Sequence, residues 1–356
     1  MEKSAERKKD EMYMRRCIQL ARNGISGAAP NPMVGAVVVC DDRIIGEGYH
    51  QRCGGPHAEV NAIASVKEPE LLQHSTIYVS LEPCAHYGKT PPCADLIISK
   101  HIPRAVVGCQ DSFTKVDGVG IRKLRDAGTD VVVGVLEEEC RRLNEKFFVR
   151  HTKGRPYVTL KWAQSADGFV DKFRNTGAQG KAVKFSTPTT QALVHRLRAH
   201  HGAILVGART AMLDNPTLTV RHWSGQSPLR LVLDPRGALP ADLHLFDGSV
   251  PTCAYVLADC TPAYADKVEV VRLREDNVLK QIMDDLVARD VQSLLVEGGA
   301  STLQAFIDGR LWDEARVETA PLQLNEGVGS PKLTHCRMVS EETVDGNQIQ
   351  NFRPEM

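Results

Sequence analysis

The chain has no net charge: 44 Lys and Arg residues balance 44 Asp and Glu residues. That balance leaves no general field to gather nucleic acid or an anionic membrane, although a local basic pocket for a single phosphate stays open. Aromatic residues are scarce, at 5%, and no basic stripe interleaves with them, which sets a nucleic-acid surface aside. No apolar run approaches the roughly 18 residues of a membrane-crossing helix. Met1 to Arg16 is dense in charge and has no apolar stretch, so it does not read as a secretory signal. There is no internal repeat, no low-complexity segment and no Gly-x-Gly-x-x-Gly fingerprint, which disfavours a Rossmann domain. The ten cysteines read as reduced thiols and not as a disulfide framework. Four of them (Cys17, Cys40, Cys109 and Cys140) fall in apolar periodic segments and are expected in the core. These absences point to a cytoplasmic protein that acts on a small molecule, with neither nucleic acid nor membrane as partner.

What is present implies two α/β domains. A chain of 356 residues exceeds the usual size of one core. The spacing of Met12, Cys17, Ile18, Leu20 and Ala21 predicts a helix from Asp10 to Arg22, ended by Gly24, Gly27, Pro30 and Pro32. A Val-rich hairpin follows (Met33–Cys40 and Arg43–Glu47). Next come a helix from His57 to Val66, a strand at Thr76–Ser80 and a helix at Ala94–Lys100. Strands at Arg104–Gly108 and Val131–Gly134 flank a helix at Gly120–Ala127, and one further helix is predicted from Glu137 to Val149. The basic, Gly- and Pro-bearing stretch His151–Pro156 is the expected boundary, giving domains 1–150 and 151–356. Strands at Tyr157–Ala163, Ala203–Val206, Leu229–Leu233 and Ser293–Val296 open a second α/β alternation that does not resemble the first.

The sharpest chemical signal is His57-Ala58-Glu59, followed by Pro83-Cys84 and then Cys93. A catalytic zinc takes three protein ligands and keeps one position for water. One imidazole and two thiolates meet that need, and Glu59 stands close enough to His57 to carry protons without being a ligand. The His-x-Glu…Pro-Cys-x-x-Cys pattern belongs to zinc deaminases, in which that glutamate is the general acid and base. Here the second cysteine lies further on, beyond Ala85–Pro92, an excursion that Gly88 and Pro91-Pro92 suit. A closed structural zinc site would need a fourth ligand, for which His86 is the candidate, and would leave Glu59 without a task.

The runs Pro30–Val37 (PNPMVGAV), Gly55–Ile63 (GPHAEVNAI) and Leu81–Cys93 (LEPCAHYGKTPPC) closely resemble the deaminase half of the bifunctional riboflavin-biosynthesis deaminase/reductases. Leu160–Gly168 (LKWAQSADG), Ala203–Arg221 (AILVGARTAMLDNPTLTVR) and Val296–Ser301 (VEGGAS) resemble their reductase half. The resemblance implies an α/β chain with an N-terminal cytidine-deaminase-like, three-layer domain and a C-terminal dihydrofolate-reductase-like domain. It implies deamination of a phosphorylated diamino-pyrimidinone and then reduction of its ribosyl group to ribityl, with zinc and NADPH as cofactors. A homo-oligomer is expected.

By position, zinc falls to His57, Cys84 and Cys93 and proton transfer to Glu59. Substrate contact in the deaminase falls to Asn31, His50, His86, Lys89 and Asp111. Cofactor contact falls to Ala163, Thr210, Asp214, Gly298, Gly299, Ala300 and Ser301. Substrate contact in the reductase falls to Lys161, Arg198, Leu218, Arg221 and Glu297, with Arg198 and Arg221 suited to a phosphate. The sequence departs from the family pattern at Asp111–Lys115, at Gly180–Phe185, where a Ser and a Trp are replaced, and in a glycine turn displaced to Gly327 and Gly329. The alternative is a stand-alone deaminase with an inactive reductase-like domain, which would not bind NADPH.

Overall fold

The apolar spacing that predicts a helix from Asp10 belongs to a longer one, α1 (Glu2–Ala21), in the computed structural model, which describes residues 2–85, 91–111, 118–174 and 181–355. Residues 5–9 face solvent and are charged or small, so they carry no apolar period by which to read the helix start. The expected hairpin is β1 (Gly35–Cys40) and β2 (Arg43–Tyr49), paired antiparallel. It turns at Asp41 and Asp42, whose φ values of 46° and 62° a short polar side chain tolerates. The chain continues through α2 (Ala58–Ala64), β3 (Thr76–Leu81), α3 (Cys93–Ser99), β4 (Arg104–Cys109), α4 (Val119–Asp126) and β5 (Asp130–Val133). The strands form one sheet in the order β2-β1-β3-β4-β5, parallel from β3 onward.

Period-2 alternation divides these strands between two cores. Ala36, Val38, Ile77, Val79, Ala105 and Val107 pack on α2, α3 and α4. Val37, Val39, Tyr78 and Val106 pack on α1 and on the helices that follow β5. The result is a helix–sheet–helix sandwich.

The single helix predicted from Glu137 to Val149 is corrected to two, α5 (Glu137–Leu143) and α6 (Glu145–Thr152). They break at Asn144, whose side-chain amide pairs with the backbone of Met33. Met33 N donates to Asn144 Oδ1 at 2.8 Å, and Asn144 Nδ2 donates to Met33 O at 2.9 Å. A local sequence pattern does not show a contact made with so distant a segment.

The chain divides into two compact units, Met1–Gly154 and Arg155–Met356. The second contains β6 (Tyr157–Ser165), β7 (Phe169–Asp171), α7 (Pro188–Ala199), β8 (Ala203–Gly207), α8 (Ala208–Asp214), β9 (Leu229–Leu233), β10 (Thr252–Leu257) and β11 (Glu269–Leu273). It continues with α9 (Val278–Ala288), β12 (Ser293–Gly298), α10 (Ala300–Asp308), β13 (Glu314–Ala320), β14 (Val328–Gly329), β15 (Cys336–Val344) and β16 (Asn347–Pro354). Its nine-stranded sheet runs β11-β10-β9-β8-β12-β6-β13-β16-β15. The pairs are parallel up to β13, and the β15–β16 hairpin adds an antiparallel edge.

Here too alternation separates the faces. Leu160, Trp162, Val296, Ala315 and Val317 enter the core under α9 and α10. Lys161, Ala163, Glu297, Arg316 and Glu318 occupy the intervening positions of the same three strands and therefore project to the opposite face. All ten cysteines are free, and Cys17, Cys40, Cys109 and Cys140 are buried.

Candidate metal centre and ligand cavity

The metal ligands come from two helix starts and one strand end. His57 is the residue just before α2, with extended backbone (φ −72°, ψ 168°), and Glu59 lies in the helix's first turn. Cys93 opens α3, and Cys84 follows β3. The excursion between the cysteines closes through Ala94 N donating to Cys84 O at 3.1 Å and Cys93 N donating to Cys84 Sγ at 3.3 Å.

His57 Nδ1 lies 3.5 Å from Cys84 Sγ and 3.3 Å from Cys93 Sγ. All three donor atoms fall within 4.8 Å of one another. A tetrahedral zinc with ordinary Zn–N and Zn–S bonds would set its ligand atoms about 3.6 Å apart, so this donor set fits the metal. The Cys93 thiol and His57 beside it bring Cys84 down to about 4, and a thiolate is the form a metal needs.

Glu59 is 3% exposed. Burial, reinforced by the Cys84 thiolate, pushes it up to about 7. A carboxyl poised near neutrality both takes and returns a proton readily.

His50 and Asn31 form a pair beside this centre. His50 Nδ1 donates to Pro56 O at 3.0 Å, which leaves Nε2 to accept from Asn31 Nδ2 at 3.0 Å. The His50 ring meets the His57 ring edge-on at 5.3 Å, and burial lowers the His50 pKa. A neutral His50 therefore locks the orientation of Asn31. Asp111 is buried, and its amide donates to Glu82 Oε2 at 3.2 Å. His86 and Lys89 lie outside the described residues.

Glu82 was not singled out in the sequence, although it sits in the quoted Leu81–Cys93 run. Its carboxylate also accepts from Gly118 N (3.0 Å), Gly120 N (2.9 Å) and Ile121 N (3.3 Å). It thereby ties the end of β4 to the start of α4, two residues before a metal ligand. Gly120 is needed there, because a Cβ would lie 2.0 Å from Pro83 O.

A 620 Å³ cavity opens in the second unit, within the range of small-ligand sites. Lys161, Ala163, Thr210, Asp214, Glu297, Gly298, Gly299, Ala300 and Ser301 all line it. Gly298 has φ +144°, a conformation open to glycine, and brings bare backbone to the cavity wall. The Lys161 ammonium makes no hydrogen bond or ion pair among the described residues. Burial lowers its pKa, against the pull of Glu297 and Glu318. Asp214 is held by Arg174 at 2.5 Å, which also pairs with Asp171.

Three of the expected residues do not line the cavity. The forked edge of Arg198 is taken: Nε and Nη2 donate to Glu297 at 2.8 and 2.7 Å, and Nη1 donates to Thr219 O at 3.1 Å. The bidentate grip on a phosphate expected of Arg198 is thus occupied by a carboxylate. The Leu218 side chain is buried in the core below α8, at a φ of 52°. Arg221 is exposed and donates to the Thr219 hydroxyl at 2.9 Å.

The comparisons with known proteins match both units. The second matches the RibD C-terminal domain over residues 156–344. The first matches the zinc-binding region of cytidine and deoxycytidylate deaminases over residues 7–109. The chain is 39% identical over 348 residues to the riboflavin biosynthesis protein RibD of Aquifex aeolicus, covering 96% of each chain. It is similar in structure to a diaminohydroxyphosphoribosylaminopyrimidine deaminase/5-amino-6-(5-phosphoribosylamino)uracil reductase of Thermotoga maritima. That match has a TM-score of 0.88 and 35% identity over 98% of this chain and 99% of that one. Acinetobacter baumannii RibD gives 0.87 at 31% identity, over 98% and 100%.

Among the described residues no helix is long and apolar enough to cross a membrane. Coverage of both units by such relatives does not favour a deaminase with an inactive reductase-like domain. The chain belongs to the RibD family of riboflavin-biosynthesis proteins, bifunctional enzymes with a zinc-dependent deaminase activity and an NADPH-dependent reductase activity.

Proposed function

We propose that residues 1–150 deaminate the diamino-pyrimidinone ribosylamino 5′-phosphate named for the Thermotoga relative, and that residues 151–356 reduce the ribosyl group of the resulting aminouracil. The observation that carries this is the convergence of His57, Cys84 and Cys93 with the buried Glu59 two residues from one ligand. When bound, zinc supplies a Lewis-acidic centre that acidifies the attacking water. His57, Cys84 and Cys93 hold it. Glu59 takes one proton from the attacking water and passes it to the ring nitrogen; it then takes the proton of the hydroxyl added to the ring carbon and gives it to the exocyclic amine, which leaves as ammonia while the carbonyl forms. Asn31, oriented by His50, offers a fixed polar edge to the pyrimidine, and Asp111 a buried carboxylate. His86 and Lys89 complete the substrate contacts.

In the second unit NADPH supplies the hydride. Ala163, Thr210, Asp214 and the run Gly298–Ser301 contact it. Lys161, whose ammonium has no partner among the described residues, faces substrate oxygen. Glu297 contacts the substrate ribosyl and takes its charge and direction from Arg198, while Leu218 and Arg221 lie on the segment that borders the substrate. The enzyme acts on a free small molecule in the cytoplasm as a homo-oligomer, with neither nucleic acid nor membrane as partner; the balanced charge supports the absence of those two partners.

A mass-spectrometric time course on the phosphorylated diamino-pyrimidinone, with and without NADPH, tests the whole reading. The expected result is amine-to-carbonyl exchange in both tubes and hydrogen addition only with NADPH. No change in either tube, from protein shown to hold zinc, would overturn the substrate assignment.

A further inference from the structure

The cavity wall beside Lys161 is built partly from a segment with little regular structure of its own. Phe185 lines the cavity and is 8% exposed, and residues 181–187, just ahead of α7 and its cap Thr187, form neither helix nor strand. Three consecutive residues here are held from outside. Asn347 Nδ2 donates to Phe185 O at 2.9 Å and to Glu318 Oε1 at 2.6 Å. Ser186 Oγ donates to Glu318 Oε2 at 2.8 Å. Thr187 Oγ1 donates to Asp345 Oδ2 at 3.2 Å. Asp345 lies in the turn of the β15–β16 hairpin and Asn347 directly follows it, and Glu318 lies on the strand that pairs with β16.

Both Glu318 and Asn347 are 2% exposed. Burying a carboxylate and an amide costs more than burying apolar groups of the same shape; here hydrogen bonds offset that cost and fix a geometry that packing alone does not. The geometry fixed here is the backbone that aims Phe185. Glu318 also shares the sheet face of Lys161 and draws on its charge, so one carboxylate couples the aromatic wall to the cation beside it.

We propose that Glu318 and Asn347 are positioning residues of the reductase site, holding Phe185–Thr187 so that the Phe185 ring packs against a planar heterocycle bound beside Lys161. The nicotinamide of NADPH and the pyrimidine of the substrate share that chemistry. The proposal rests on the reductase assignment above.

All three tryptophans (Trp162, Trp223 and Trp312) lie in the second unit, so energy transfer from tryptophan to NADPH measures cofactor binding without turnover. The variants are Phe185→Leu, Phe185→Trp and Asn347→Ala, with Glu318→Gln as the conservative change that keeps an acceptor for Asn347. Removing one aromatic contact is expected to weaken the affected ligand by about two- to tenfold. Phe185→Trp should restore what Phe185→Leu loses. Asn347→Ala should weaken the same ligand as Phe185→Leu and speed amide exchange at residues 183–187, and Glu318→Gln should do less of both. A higher NADPH Kd identifies the nicotinamide as the partner, whereas an unchanged Kd with a raised substrate KM identifies the pyrimidine. Deamination should be unaltered throughout, which controls for the first unit, and denaturant unfolding followed by tryptophan emission controls for the fold of the second. Wild-type protein that fails to bind NADPH would overturn the reductase assignment itself. If wild type binds and reduces but Phe185→Leu and Asn347→Ala change neither constant, the network is structural only and the inference is wrong. Should Asn347→Ala not fold, the Phe185 pair alone decides.

Discussion

The metal centre and the second-unit cavity differ in how they hold charge. At the metal centre, three donors and one buried carboxylate meet within a few ångströms, on backbone fixed by two helix starts. Its charges are aimed at a group from outside the chain. In the cavity wall several charges are already matched: Glu297 with Arg198 behind it, and Arg174 with Asp171 and Asp214. Lys161 lines the wall without a partner among the described residues. The first site stores its chemistry in uncompensated ligands, and the second stores shape in compensated pairs. Substitutions at the first should therefore remove activity while sparing the fold, and substitutions at the second should weaken the fold as well.

The largest effect tests the first half of that contrast. Glu59→Gln keeps the shape of the side chain and removes its proton chemistry. Deamination should fall by about 10²- to 10⁴-fold, while zinc content, measured by elemental analysis, and NADPH reduction of the deaminated substrate remain. Full deamination by a zinc-loaded Glu59→Gln protein would remove the proton-transfer role.

The next tests the second half. Arg198 and Glu297 are both largely buried, at 12% and 9% side-chain exposure. Against burial, which raises it, the Arg198 guanidinium holds the Glu297 pKa below the ordinary carboxylate value. Glu297→Ala strands the guanidinium, and loss of one partner of a buried pair costs about 3–5 kcal/mol. Denaturant unfolding followed by tryptophan emission reports on the second unit alone and should show that loss, with deamination unchanged. An unfolding midpoint equal to wild type would mean that Arg198 finds water or another acceptor, and that the pair does not hold the site together.

A smaller effect is expected where backbone supports the metal centre. In Gly120→Ala the new Cβ meets the Pro83 carbonyl, which belongs to backbone and cannot swing aside. Overpacking of this kind costs about 1–3 kcal/mol. Because Glu82 binds the amides of residues 118, 120 and 121, the strain should pass to the segment at Asp111. Substrate KM in deamination should rise more than kcat falls. An unchanged KM would separate this clamp from substrate binding.

The same contrast explains what could be read from the sequence. His57, Glu59, Cys84 and Cys93 were legible because their chemistry fixes both residue type and approximate spacing. Strands β1, β4 and β5 of the first sheet were legible because they are short, Val-rich and bounded by turn residues. The break at Asn144 was not, since its cause is the distant backbone of Met33. Strand β15 is exposed along nearly its whole length, so it shows no apolar alternation and the terminal hairpin went unseen. The family resemblance places Arg198 among the substrate contacts and its fork suits a phosphate, but its pairing with Glu297 is visible only in the fold. Glu82 escaped notice because a carboxylate that serves backbone amides has no partner residue type to look for.

The smallest effect concerns a charge that the second unit keeps out. His195 is buried, and its Nδ1 accepts from Arg221 N–H at 2.9 Å, so the ring is neutral with its proton on Nε2. Burial first, and then Arg198, Arg221 and His222, lower its pKa to about 4. In the unfolded chain an ordinary histidine titrates near 6.5. Between these values the unfolded state binds the extra proton, so stability is complete above about pH 6.5 and declines as pH falls toward 4. The slope from this residue is at most about 1.4 kcal/mol per pH unit, and surface screening at Arg221 reduces it. His195→Asn retains an acceptor near the position of Nδ1 and cannot titrate. Unfolding free energies from tryptophan emission, measured for both proteins from pH 7 to 4.5, should converge as the pH is lowered, because only wild type loses this contribution. Parallel curves would mean that His195 takes its proton in the folded state as readily as in the unfolded one, with Arg221 N–H giving up its acceptor.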